Sequence, residues 1–264
     1  MQPYYGDEPH IIQKPPKNRR DHGVSYGKNL GRGLRIFLLL AVFAIIPIAV
    51  TYAFLSKTEA AAGKTYRVKA ETRYFLVTGA YDVISDANLA AAVVKEKGGA
   101  GYIFNDGKFR IAAAVYNDKS TAEAVAAKQT IETEIYPITI AETSLGTDKA
   151  IAESLAAALN AYDGVFRDLT AVTEEYEKGN STDGALALAA TNAAADLKSA
   201  AREVVNADET GLIGEYLNAS ADSLTAATTE ESYTFSVRMR CALCSLVYER
   251  YALSLKLPAA NRDK

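Results

Sequence analysis

A run of 20 residues without a charge, "IFLLLAVFAIIPIAVTYAFL" at 36–55, limits what this chain can fold into more than any other feature. At 1.5 Å per residue, a helix of that length reaches roughly 30 Å, the thickness of a bilayer core. The run therefore predicts one transmembrane helix, in which Pro47 is tolerable. A cleaved signal peptide is the competing reading. It fits poorly, because the run starts 35 residues in and the A-x-A-like "AAAG" at 60–63 lies past its end. Lys28, Arg32 and Arg35 precede the run closely, whereas only Lys57 follows closely. That flank predicts a single-pass membrane protein with a cytoplasmic N-terminus and its C-terminal domains extracytoplasmic. The Pro-rich, basic stretch 1–35 lacks an apolar period and reads as a disordered cytoplasmic tail. Residues 56–72 read as a linker.

Beyond the linker the chain repeats a pattern. "YFLVTGAYDVIS" at 74–85 and "FRIAAAVYNDKS" at 109–120 each run from an apolar, β-rich stretch into a helix start. Ser85 can cap a helix through "SDANLAAAVVKEK", which Gly98-Gly99 ends. "AGYIF" and "KFRIAAAVY" flank Asp106-Gly107, a strong hairpin turn. Ser120 and Glu123 form a capping box for "STAEAVAAKQ", and "TEIYPITI" closes the unit, with Pro137 implying a sheet edge or a strand end. The order βαββαβ predicts a four-stranded antiparallel sheet with two helices on one face. Neither half could bury its strands alone, which accounts for the repetition. Strand alternation then sends Leu76, Thr78, Ile111 and Ala113 toward those helices. Phe75, Val77, Arg110, Ala112 and Ala114 go to the outer face.

"YFLVTGAY", the Ala-rich helix and "GYIFNDGKFRIAAAVYNDKSTAEAVAAK" resemble a SPOR (sporulation-related repeat) domain over about 73–140. The resemblance implies a membrane-anchored cell-envelope protein of cell division or sporulation. Its outer sheet face would bind peptidoglycan glycan strands. The positions that match the family's glycan face are Phe75, Val77, Arg110 and Ala112, with Tyr102 beside them. Where the family carries a first-strand Gln and a second third-strand Arg, this chain has Val77 and Ala112. The alternative is a structural or assembly scaffold, in which the sheet packs on helices or a partner and no glycan is bound. An apolar patch of this kind on a sheet face is usually covered. The C-terminal helices or a second copy could cover it.

From Thr147 the apolar period becomes helical. Ile151, Leu155, Leu159, Tyr162, Phe166 and Leu169 form one stripe. Three more helical stretches follow, giving a helical bundle module at 147–257, separable from the sheet. The fold class expected is therefore α+β, with a SPOR-like sheet preceded by one transmembrane helix and followed by the bundle.

Cys241 and Cys244 are the only cysteines, and the only histidines are His10 and His22 in the tail. A zinc site wants about four ligands, so no metal or other cofactor is expected. Inside an apolar helix the two thiols read as small buried hydrophobes or, alternatively, a local disulfide. No nucleophile elbow or phosphate loop is present, so no catalytic residue is assigned and an enzyme is not expected. The net charge of −3 without a basic stripe argues against nucleic acid. The partners expected are peptidoglycan glycan strands, the membrane, and envelope or division proteins.

Overall fold

The computed structural model describes residues 65–129 and 131–258. In chain order the elements are β1 Arg67–Val68, β2 Glu71–Tyr81, α1 Ile84–Glu96, β3 Tyr102–Asn105, β4 Phe109–Tyr116, α2 Lys119–Ala126, β5 Glu134–Ile140 and β6 Thr143–Ser144. Four long helices follow: α3 Lys149–Glu177, α4 Asp183–Val204, α5 Leu212–Thr229 and α6 Phe235–Lys256.

Local chemistry accounts for most boundaries. Gly107 turns the β3–β4 hairpin at φ +106°, and its N–H donates to Asn105 Oδ1 at 2.9 Å. The Asp118 carboxylate, rather than Ser120, caps α2 by accepting from Thr121 N at 2.7 Å. Asp148 and Thr182 cap α3 and α4 in the same way. Gly101 has φ +54°, and a Cβ there would meet Ala91 O at 2.5 Å. Only glycine lets the chain pass so close under α1.

The four longer strands pair antiparallel in the order β3-β4-β2-β5, which puts Pro137 on an edge strand. Ala91 and Val94 of α1 pack on Ile111, with Ile103 and Ala113 around them. The next residue along β3, Phe104, points the other way and meets Tyr248 of α6 at 5.4 Å. The sheet thus lies between α1 and α2 on one face and α6 on the other. Two irregularities interrupt the β2–β4 register, between Leu76 and Val77 and between Val77 and Gly79. As a result Ala114 pairs with Leu76, while Val77 pairs with Ala112. The expected placing of Ala114 beside Ala112 is corrected by that shift, since cross-strand partners share a face.

Helices α3 to α6 pack as a four-membered bundle, each against its chain neighbours, with α6 closing on α3. Leu159, Phe166, Leu186, Leu197, Leu217 and Leu246 are among its buried side chains. Helix α6 also lies against β3, β4 and β5. It is buried on both sides, which explains why its apolar residues show almost no single face.

The expected fold class is corrected by this architecture. The described residues hold six helices and two antiparallel sheets, of two and four strands, and are about 58% helix. The described part of the chain is therefore mainly helical rather than a sheet domain with an appended bundle. The physical reason is α6, whose two apolar sides belong to the bundle and the sheet together. No helix among the described residues is long and apolar enough to cross a membrane. The run at 36–55, on which a transmembrane helix was expected, lies outside the described residues, as does the tail 1–35.

The smaller sheet was not anticipated. β1, inside the stretch 56–72 expected as a linker, pairs antiparallel with β6, which precedes the first long helix. Tyr66 N donates to Gly146 O, and Leu145 N donates to Tyr66 O, both at 2.9 Å. Ser144 N donates to Pro258 O at 3.0 Å, so the residues after α6 are tied to the same ribbon.

Candidate site at the sheet–helix junction

The five residues matched to a glycan face fall into two groups. Phe75 and Ala112 are fully buried and Val77 is 2% exposed. Phe75 packs against Phe104 in a tilted pair, with ring centroids 5.3 Å apart, and Phe104 in turn meets Tyr248. Tyr102 sits opposite Ala112 on β3, with its ring edge-on to Tyr248 at 6.3 Å. Burial pushes the Tyr102 phenol well up from its ordinary value, against a hydrogen bond with Ser245. Helix α6 therefore occupies most of the face that the sequence left open.

Polar contacts from α6 to backbone carbonyls hold it there. Tyr248 Oη donates to Asn105 O at 2.6 Å, and Arg240 Nη1 donates to Gly98 O at 2.7 Å. Arg240 Nε also donates to Glu177 Oε1 at 2.6 Å, linking the same helix back to α3. Ser254 Oγ accepts from Ala141 N at 3.2 Å. The bonds to Asn105 and Ala141 satisfy a carbonyl and an amide at strand ends, and the bond to Gly98 satisfies a carbonyl in the turn after α1.

Arg110 is the residue of the five that keeps a solvent-facing polar group. Its Nε donates to Asp106 Oδ2 at 2.8 Å, and its guanidinium lies over the Tyr136 ring at 4.3 Å. The Tyr136 hydroxyl donates to the same carboxylate oxygen. Burial alone would raise the Asp106 carboxyl. The bonds from Tyr136 and Arg110 outweigh it and hold the group below the usual carboxylate range. Tyr248 and Tyr251, 5.9 Å apart on α6, continue this aromatic corner. Asp106, Phe104, Tyr248 and Tyr251 had not been expected there. Asp106 stood out only as a turn residue, and the Tyr248–Tyr251 spacing of three placed both tyrosines on one helix side.

Cys241 and Cys244 are free thiols. Burial pushes both up, Cys244 furthest, so neither is a ready nucleophile. Among the described residues no group of three or more His, Cys, Asp or Glu side chains is arranged to hold a metal ion.

Comparison with protein-family models, with curated proteins and with solved structures finds no match to this chain.

Proposed function

We propose that the chain is a non-enzymatic structural or assembly protein of the cell envelope, whose sheet face is filled by its own helix α6. The observation that carries this reading is the burial of Phe75, Val77 and Ala112 together beneath α6. A glycan platform needs an open aromatic with hydrogen-bonding neighbours, whereas these positions give apolar packing. The test is sedimentation of the purified chain with cell-wall sacculi, with and without amidase stripping of stem peptides. The chain is expected to stay in the supernatant in both. Retention on stripped sacculi, lost in Arg110→Ala, would overturn the reading.

One observation favours the second reading, a peptidoglycan-binding protein as the SPOR resemblance implies. The Arg110–Asp106–Tyr136 corner keeps a cation, a carboxylate and aromatic rings together at the rim of the closed face. A glycan strand held there would touch the rim residues and leave α6 in place.

A further inference from the structure

The first and the last described stretches meet at one corner. Backbone hydrogen bonds tie Tyr66 to Leu145 and Gly146, and Pro258 to Ser144. The start of α3 and the end of α6 therefore lie beside β1. On α6, Tyr248, Tyr251 and Leu255 are three and four residues apart and share one side. Tyr248 is taken up by Asn105 O, whereas Tyr251 is half-buried and Leu255 is 52% exposed. Lys256 is exposed, and its Nζ lies 4.9 Å from the centre of the Tyr216 ring. Lys69, just past β1, is exposed as well, while Arg67 is paired with Glu142 at 3.1 Å. Tyrosine rings, an exposed leucine and lysines on long stems are the side chains that settle at the boundary of water and lipid.

We propose that this corner is a lipid-facing surface: Tyr251 and Leu255 enter the headgroup layer of a bilayer, and Lys69 and Lys256 meet its anionic phosphates. The proposal rests on the envelope placing proposed for the chain, through the uncharged run at 36–55. That run stops nine residues short of residue 65. Nine residues reach about 30 Å when fully extended, so a bilayer holding the run keeps the corner within reach. Lys57 and Lys64 stand in the connecting stretch against Glu59, and Arg262 and Lys264 follow Pro258 against Asp263. The far end of α3 is acidic instead, with Glu174, Glu175 and Glu177. A short tether gives the contact a high effective concentration, so a few side chains suffice.

Helix α3, 29 residues long, carries its far end about 43 Å from the corner. Leu188, near that end on α4 and 48% exposed, is the remote control. The full chain with Cys241→Ala and Cys244→Ala is labelled with bimane at Leu255→Cys or at Leu188→Cys. It is reconstituted into phosphatidylcholine vesicles with and without phosphatidylglycerol. A spin-labelled lipid is expected to quench the label at 255 strongly in the phosphatidylglycerol vesicles and the label at 188 hardly at all. A lysine beside an anionic surface favours contact about fivefold. Lys69→Glu with Lys256→Glu should therefore bring quenching at 255 down to the level at 188. In the unlabelled chain, amide exchange in the last turn of α6 should slow with phosphatidylglycerol and not with phosphatidylcholine alone. Equal quenching at the two sites, in a chain that floats with the vesicles, overturns the lipid contact and leaves the envelope reading standing. Quenching at 255 that ignores both phosphatidylglycerol and the charge reversals overturns it too, as does unchanged amide exchange. A chain that floats with neither kind of vesicle overturns both.

Discussion

Val77→Asp tests the closed sheet face directly. Val77 is 2% exposed, pairs with Ala112 on one side, and on the other pairs with Glu134, which is already acidic. A carboxyl buried there without a cation has its pKa raised by about 3 units. At about 1.36 kcal/mol per unit, keeping it neutral at pH 7 costs about 4 kcal/mol. Loss of the valine's packing adds about 1–2 kcal/mol. The sum rivals the whole stability of an ordinary domain, about 5–15 kcal/mol. Urea unfolding of the full chain, followed by far-UV circular dichroism, measures it. The loss should shrink by about 2 kcal/mol at pH 5, where the unfolded carboxyl is itself partly protonated. Val77→Ala is the control, with a loss of about 2 kcal/mol at either pH. An unfolding midpoint for Val77→Asp equal to that of the unaltered chain would refute the packing of α6 on this face. A loss identical at both pH values would refute the burial of the new charge.

Other substitutions probe separate features. Gly101→Ala should cost more than about 2 kcal/mol in urea unfolding, because its Cβ would meet the Ala91 carbonyl oxygen and its φ is positive. Asp148→Ala should lower stability by about 1 kcal/mol through loss of the α3 cap, seen as a shifted urea midpoint. Arg250 of α6 is 2% exposed with Nε and Nη1 unpartnered, so Arg250→Met with Asp163→Asn should leave thermal stability unchanged or raise it by about 1–3 kcal/mol. A chain ended after Thr234, lacking α6, should lose cooperative melting by calorimetry, since both the bundle and the sheet face lose a wall.

Much of the local structure was legible in the residues. The Asp106-Gly107 turn, the Ala-rich helix after Tyr81 and the apolar stripe from Ile151 each announce an element by chemistry confined to a few neighbours. The relation between elements was less so. A register slip near Val77 leaves no mark on composition, yet it moves Ala114 to another face. The ribbon of β1 and β6 is too short to show alternation. The apolar sheet face itself pointed to the C-terminal helices as one possible cover, and helix α6 carries the matching signal. Val237, Met239, Cys244, Leu246, Val247 and Leu253 surround it rather than line one stripe, and a helix apolar all round is covered all round. Its second cover is the sheet face matched to glycan binding. Arg250 gave no hint, because a long basic residue in a helix ordinarily reaches solvent.

The ribbon sets how this body can be held. Tyr66 and Pro258 both bond to the stretch between Thr143 and Gly146, so the chain enters and leaves at one corner. Anything carried before residue 65 and anything carried after residue 258 would start out as neighbours. Tension applied between them would first open a few backbone hydrogen bonds in series, while the long helices and the four-stranded sheet bore none of it. The corner would yield at those bonds before the core is loaded.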